Sequence, residues 1–125
     1  MNKDEVEKFI KIQSQMEEMH NEISILSKKS KDDALSEFKL SFVNNLLDEA
    51  NGILNEKYKP FKEFELFNKD KMPTNSDVVM VLSQYLACLE NLRFDNIFYI
   101  YSDWHWRIVD EKKPTIKTGR PKKLS

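Results

Sequence analysis

Apolar side chains near the start of the chain return at alternating intervals of three and four residues: Phe9, Ile12, Met16, Met19, Ile23 and Leu26. That is the a/d spacing that keeps one seam on one side of a helix slightly underwound to 3.5 residues per turn. The positions between are almost all charged or amide, so the stripe is narrow and a single partner helix can seal it. Three heptads are marginal as an isolated helix in water. Residues 1–29 therefore either fold back on the rest of the chain, using the ridge packing of globular helices, or act as a coiled-coil arm that pairs with its copy in a dimer.

The polar break KKSKDD, Lys28 to Asp33, offers Ser30 or Asp32 as an N-cap for a second helix over about 33–57. Leu35, Phe38, Phe42, Leu46, Ala50 and Ile53 form its ridge, flanked by Val43, Leu47 and Leu54. At 100° per residue these cover an arc of roughly 200°, wide enough to require cover from two sides. Asn44, Asn51, Asn55 and Asp48 fall on the opposite face, which reads as solvated or as a polar contact stripe. In the connector that follows, Pro60 can open a short helical turn. Phe61, Phe64 and Phe67 recur every three residues and are expected to cap the end of the bundle.

A third helix over about 75–95 has the clearest start signal, with Thr74 and Asp77 at capping-box spacing. Val78, Val81, Leu82, Tyr85, Leu89 and Leu92 make its ridge, and Met80, Ala87 and Phe94 a far-side stripe, so this helix is expected to be central and nearly surrounded. Past Asn96 the period changes to two. NIFYIYSDWHWRIV is dense in aromatic and β-branched residues, which predicts two or three short antiparallel strands with turns at Ser102-Asp103 and over residues 110–113. Trp104, Trp106 and Ile108 share one face, and His105, Arg107 and Val109 the other. A hairpin alone is unstable, so its apolar face must dock on the helices.

Composition narrows the class. With 125 residues, only two glycines and four prolines, the chain has room for one core and too little turn chemistry for a sandwich or barrel. The net charge of −1 conceals an uneven split. Residues 1–110 hold fourteen cations against twenty acids, whereas residues 111–125 hold six against one. An acidic body with a basic end suits an internal contact, a binding arm or a solubility feature. The single cysteine, Cys88, forms no internal disulfide and suits a reducing compartment. The opening MNKDEVEK is not of signal-peptide type, and no run has the length of a membrane span, so a soluble cytoplasmic protein of a bacterium or phage is expected.

Reactive groupings are sparse. Gly52 and Gly119 are far apart, so no Gly-rich phosphate loop exists. His20 and His105 have no metal-ligand spacing with Cys88 or with each other. Cys88 sits beside the apolar arc of the third helix and reads as a buried thiol. Acids adjacent in sequence, such as Asp48 and Glu49, point to different sides of a helix. No catalytic residue, metal or cofactor is assigned, and no enzymatic activity, small-molecule substrate or membrane contact is expected.

What remains is recognition. Trp104, Trp106 and Arg107 are residue types enriched at binding hot spots; the alternative reading is that the two tryptophans cover the open end of the helical core and leave His105 and Arg107 to solvent, and both stand at this point. The segment TGRPKK, residues 118–123, resembles the AT-hook, a short minor-groove motif centred on Gly-Arg-Pro with basic flanks. The resemblance implies that Arg120 enters the narrow groove of AT-rich DNA while Lys117, Lys122 and Lys123 meet phosphates. Thr118 departs from the pattern, standing where the strong form has an arginine.

The expected molecule is thus mainly α: a three-helix bundle-like core, residues 1–118 with a small C-terminal antiparallel hairpin, and a basic tail at 119–125. Its expected role is a non-enzymatic protein-binding or oligomerising accessory module, with contacts to a partner or to its own copy through Phe9, Ile12, Met16, Met19, Ile23, Leu26, Trp104, Trp106 and Arg107. The alternatives are a nucleic-acid-associated factor using residues 112–125, or a small inhibitor that occludes a host nucleic-acid-binding enzyme.

Overall fold

The structure is a computed structural model that describes residues 1–122. Helix α1 spans Lys3–Ser30, α2 Glu37–Tyr58 and α3 Asn75–Phe94; strands β1 Ile97–Ile100, β2 Asp103–Trp106 and β3 Lys117–Thr118 follow. No helix among the described residues is long and apolar enough to cross a membrane.

Each helix starts where a side chain satisfies its orphan amides. Asn2 accepts from the Glu5 amide at 2.8 Å while the Glu5 carboxylate accepts from the Asn2 amide at 3.0 Å, a reciprocal box that opens α1. Thr74 and Asp77 form the corresponding pair for α3, as the spacing predicts. For α2 the cap is Ser36, not Ser30 or Asp32, so the helix starts four residues later than expected. Residues 31–35 are held otherwise: the Leu35 amide donates to Pro73 O, and the Asn75 amide to Asp33 O, tying the α1–α2 loop to the entry of α3.

Long-range hydrogen bonds set the directions. Gln13 meets Glu90 and His20 meets Ser83, so α1 and α3 are antiparallel, and they form the most extensive helix pair. Lys39 lies 3.6 Å from Glu22, so α2 is also antiparallel to α1. Helices α2 and α3 therefore run the same way, and residues 59–74 must return the length of a helix. They do so extended, along the side of the bundle. Asn51 Nδ2 donates to Glu65 O, and Asn44 holds Phe67 at both ends, donating to its carbonyl at 3.0 Å and accepting from its amide at 2.9 Å. The polar stripe of α2 is thus an internal clamp. Phe61, Phe64 and Phe67 stack edge to face on one another and pack against the core, lining the side of the bundle where the sequence suggested its end; no helical turn forms at Pro60, and a 3₁₀ turn forms instead at Lys69–Lys71.

The core consists of Val6, Phe9, Ile12, Met16 and Ile23 from α1, the α3 ridge, and Leu40, Val43, Leu46, Leu47, Ala50 and Leu54 from α2. Positions 40, 43, 47, 50 and 54 of α2 have the same three-four rhythm as α1. Phe38 and Phe42, assigned to the ridge by sequence, are outside. Phe38 lies roughly 150° around the helix from the centre of the buried set and is 72% exposed. On α3, Met80 and Phe94 are likewise exposed, so that helix is covered on fewer sides than expected.

The sheet has the order β1-β2-β3, antiparallel throughout. Its first turn is Tyr101-Ser102, one residue earlier than predicted, with φ of 55° and 64° at these two positions. Positive φ at both central residues matches the twist of the strands in a two-residue hairpin, though without glycine each position is strained by about 1 kcal/mol or more. Ile97 faces Trp106 and Tyr99 faces Trp104, all on one side of the sheet. The inner pair is buried, with the Trp106 ring edge-on to Phe9 at 5.1 Å, while Tyr99 is exposed. The sheet thus docks by its open end and its turn projects away from the helices.

Candidate functional site

The sequence-derived contact residues separate once folded. Phe9, Ile12, Met16 and Ile23 have no exposed surface, and Met19 and Leu26 pack partly buried against the same core. The inner seam is sealed within the chain, mainly by α3, so as folded Phe9, Ile12, Met16 and Ile23 face the chain's own core, while Met19 and Leu26 keep part of their surface. Trp106 is also core and unavailable to a partner. Trp104 is half-buried, and Arg107 is exposed with its guanidinium 4.5 Å above the Phe98 ring. His105 is buried on the central strand β2, where its register partners are Phe98 of β1 and Lys117 of β3.

Residues 118–122 of the basic end lie against α3. Arg93 and Glu90, one turn apart on α3, are both buried and joined by two hydrogen bonds of 2.8 and 2.7 Å. Arg93 then donates outward to Thr118 Oγ1, Gly119 O and Arg120 O, each at 2.8 Å. The Lys122 amide donates to Glu90 Oε2, Pro121 is buried, and Lys122 Nζ reaches Glu17 on α1 at 2.6 Å. Burial alone would push the Glu90 carboxyl up, but hydrogen bonds from Arg93 and the Lys122 amide, with the Arg93 charge, hold it below the usual carboxylate range. The Gly-Arg-Pro backbone that a minor groove would have to receive is turned to the bundle. Lys117 pairs with Asp103 at 3.1 Å, the Arg120 side chain is exposed, and Lys123 lies outside the described residues.

The remaining chemistry is tied down locally. His20 Nε2 is 2.8 Å from Ser83 Oγ, and His105 Nδ1 is 3.1 Å from Asp103 O. Cys88 is half-buried on α3. No group of three His, Cys, Asp or Glu side chains among the described residues is arranged to hold a metal ion.

Another surface stands out, combining Met19, a contact residue read from the sequence, with Phe42 and Leu46, which the sequence assigns to the ridge of α2. Between α1 and α2 runs an open groove of about 360 Å³, lined by Gln15, Glu18, Met19 and Glu22 on one side and Phe42, Asn45, Leu46 and Glu49 on the other. Both sets repeat at i, i+3, i+4, i+7, the signature of two helix faces in register. Met19 and Leu46 form its apolar floor. Phe42, 49% exposed, forms a wall, with the Phe38 ring edge-on to it at 4.9 Å one turn away. Ile25, 50% exposed, continues the ridge of Glu18 and Glu22. The sequence carried a signal for this in the competing 40-43-47-50-54 seam of α2, which leaves Phe38 and Phe42 off the buried side.

Comparison with family models, curated proteins and solved structures returns no significant match for this chain.

Proposed function

We propose that the chain is a non-enzymatic protein-binding module of the cytoplasm whose contact surface is the α1/α2 groove. The observation that carries this reading is the pair Phe38 and Phe42, two large aromatic side chains kept in water on a helix that has buried its other ridge. Scattered apolar residues on a surface need no explanation, but a contiguous aromatic wall beside an apolar floor is the form that interaction sites take. The facing helix ridges offer a trough of the kind in which amphipathic helices lodge. Aromatic rings supply the anchoring area that such contacts depend on.

A random peptide library displayed against the protein tests this. Selected peptides are expected to bind the native chain and to lose about 10-fold or more in affinity against Phe38→Ala/Phe42→Ala. Because both residues are exposed, that variant is expected to melt within a few degrees of the native protein. Selection of nothing, or of peptides indifferent to the double substitution, overturns the reading.

A further inference from the structure

We infer that the occupant of the α1/α2 groove is a cationic amphipathic helix on another protein, and not a second copy of this chain; the inference rests on the protein-binding reading above. It comes from the charges around the apolar floor. Of the eight lining residues, three are acids, Glu18, Glu22 and Glu49, and none is a cation. The nearest counter-charge is Lys39, 3.6 Å from Glu22 in an exposed pair, which is weak. Two acids stand on the α1 side and one on the α2 side, so the floor is fenced by carboxylates along both walls. A helix that lays apolar side chains on Met19, Leu46 and the Phe38–Phe42 wall would place its flanking positions against those carboxylates, where Lys or Arg gains and Asp or Glu loses.

The same charges argue against self-association through this face. A two-fold dimer places the same patch on both sides of the interface. Here that brings two identical sets of carboxylates together around an apolar strip, and like charges across an interface cost affinity. Length sets the size of the ligand. From Gln15 to Ile25 the α1 wall runs about 15 Å, or about three turns. The occupant is therefore read through apolar anchors at i, i+3 or i+4, and i+7. The acidic excess of residues 1–110, twenty acids against fourteen cations, adds a long-range field of the same sign.

The test uses two helix-stabilised synthetic peptides about five turns long. Both carry leucine anchors at three-four spacing; one has lysine at the flanking positions, and its twin has glutamate there. Fluorescence anisotropy against the full chain at about 50 mM salt is expected to show the lysine peptide binding at least about 10-fold more tightly, with the gap closing toward about 0.5 M salt as screening shortens the Debye length. Glu18→Lys/Glu22→Lys/Glu49→Lys is expected to reverse the preference. Equal binding of the twins, still lost in Phe38→Ala/Phe42→Ala, overturns the charge inference while leaving the protein-binding reading intact. Binding of neither peptide overturns the inference. So does a dimer in sedimentation that Phe38→Ala/Phe42→Ala dissolves, which instead assigns the groove to a second copy.

Discussion

Tyr58 and Asp95 illustrate how single side chains secure the ends of the parallel helices α2 and α3. The Tyr58 hydroxyl donates to Asp95 Oδ2 at 2.5 Å, and that hydrogen bond, with partial burial and the Asp95 charge, pushes the phenol up to about 12. A phenol raised in the folded state stabilises the fold fully below the ordinary tyrosine range and ceases to do so as pH rises through its folded value. The associated stability is therefore expected to fade between about pH 10 and pH 12. Ultraviolet titration of the native protein should show one tyrosine ionising near the top of that window, and Asp95→Asn should bring it down. Tyr85 differs in kind. Burial is what raises it, and its hydroxyl donates to Asn51 Oδ1 at 2.6 Å. Neither pairing is legible in sequence, because residues 34 to 37 positions apart meet only after the helices have packed.

At the scale of elements, the C-terminal segment is latched by α3. Removing one partner of a buried ion pair leaves an uncompensated charge, so Arg93→Ala is expected to cost about 3–5 kcal/mol in chemical denaturation and to free the Lys122 amide for hydrogen exchange. The latch also has a pH sense. Glu90 is held below its ordinary range, so its contribution is complete above that range and is lost as pH falls through the lowered folded value. Release of residues 118–122 is thus expected on acidification, and any approach of the Gly-Arg-Pro core to nucleic acid requires that release first. From sequence this stretch suits an internal contact, a binding arm or a solubility feature alike, because Glu90 and Arg93, three apart on a helix, resemble an ordinary surface pair; only the returning chain makes them interior. The bounds of helix α3 were legible nearly to the residue, since its capping box and the run of its main ridge agree. Helix α2 was misphased for the opposite reason. Its apolar arc is wide enough to hold two ridges, and which one is buried depends on the direction from which α1 and α3 arrive. The clamping role of Asn44 and Asn51 was hidden as well, because their partners are backbone groups, which no residue type announces.

Taken whole, the molecule hides its N-terminal seam, its α3 ridge and Trp106 in one core, and every buried side-chain nitrogen or oxygen among the described residues has a hydrogen-bond partner. The fold class was therefore readable from periodicity, whereas the candidate contact face emerged only from what the core left outside. Three exposed aromatic and aliphatic side chains on α1 and α2, set among carboxylates, are the surface on which the functional reading stands. Amide chemical-shift mapping of the full chain with the lysine-flanked peptide tests that most directly. Shifts confined to residues 15–25 and 38–49 are the expected result; shifts centred on the β1–β2 turn or on residues 117–122, with the groove silent, would contradict the account.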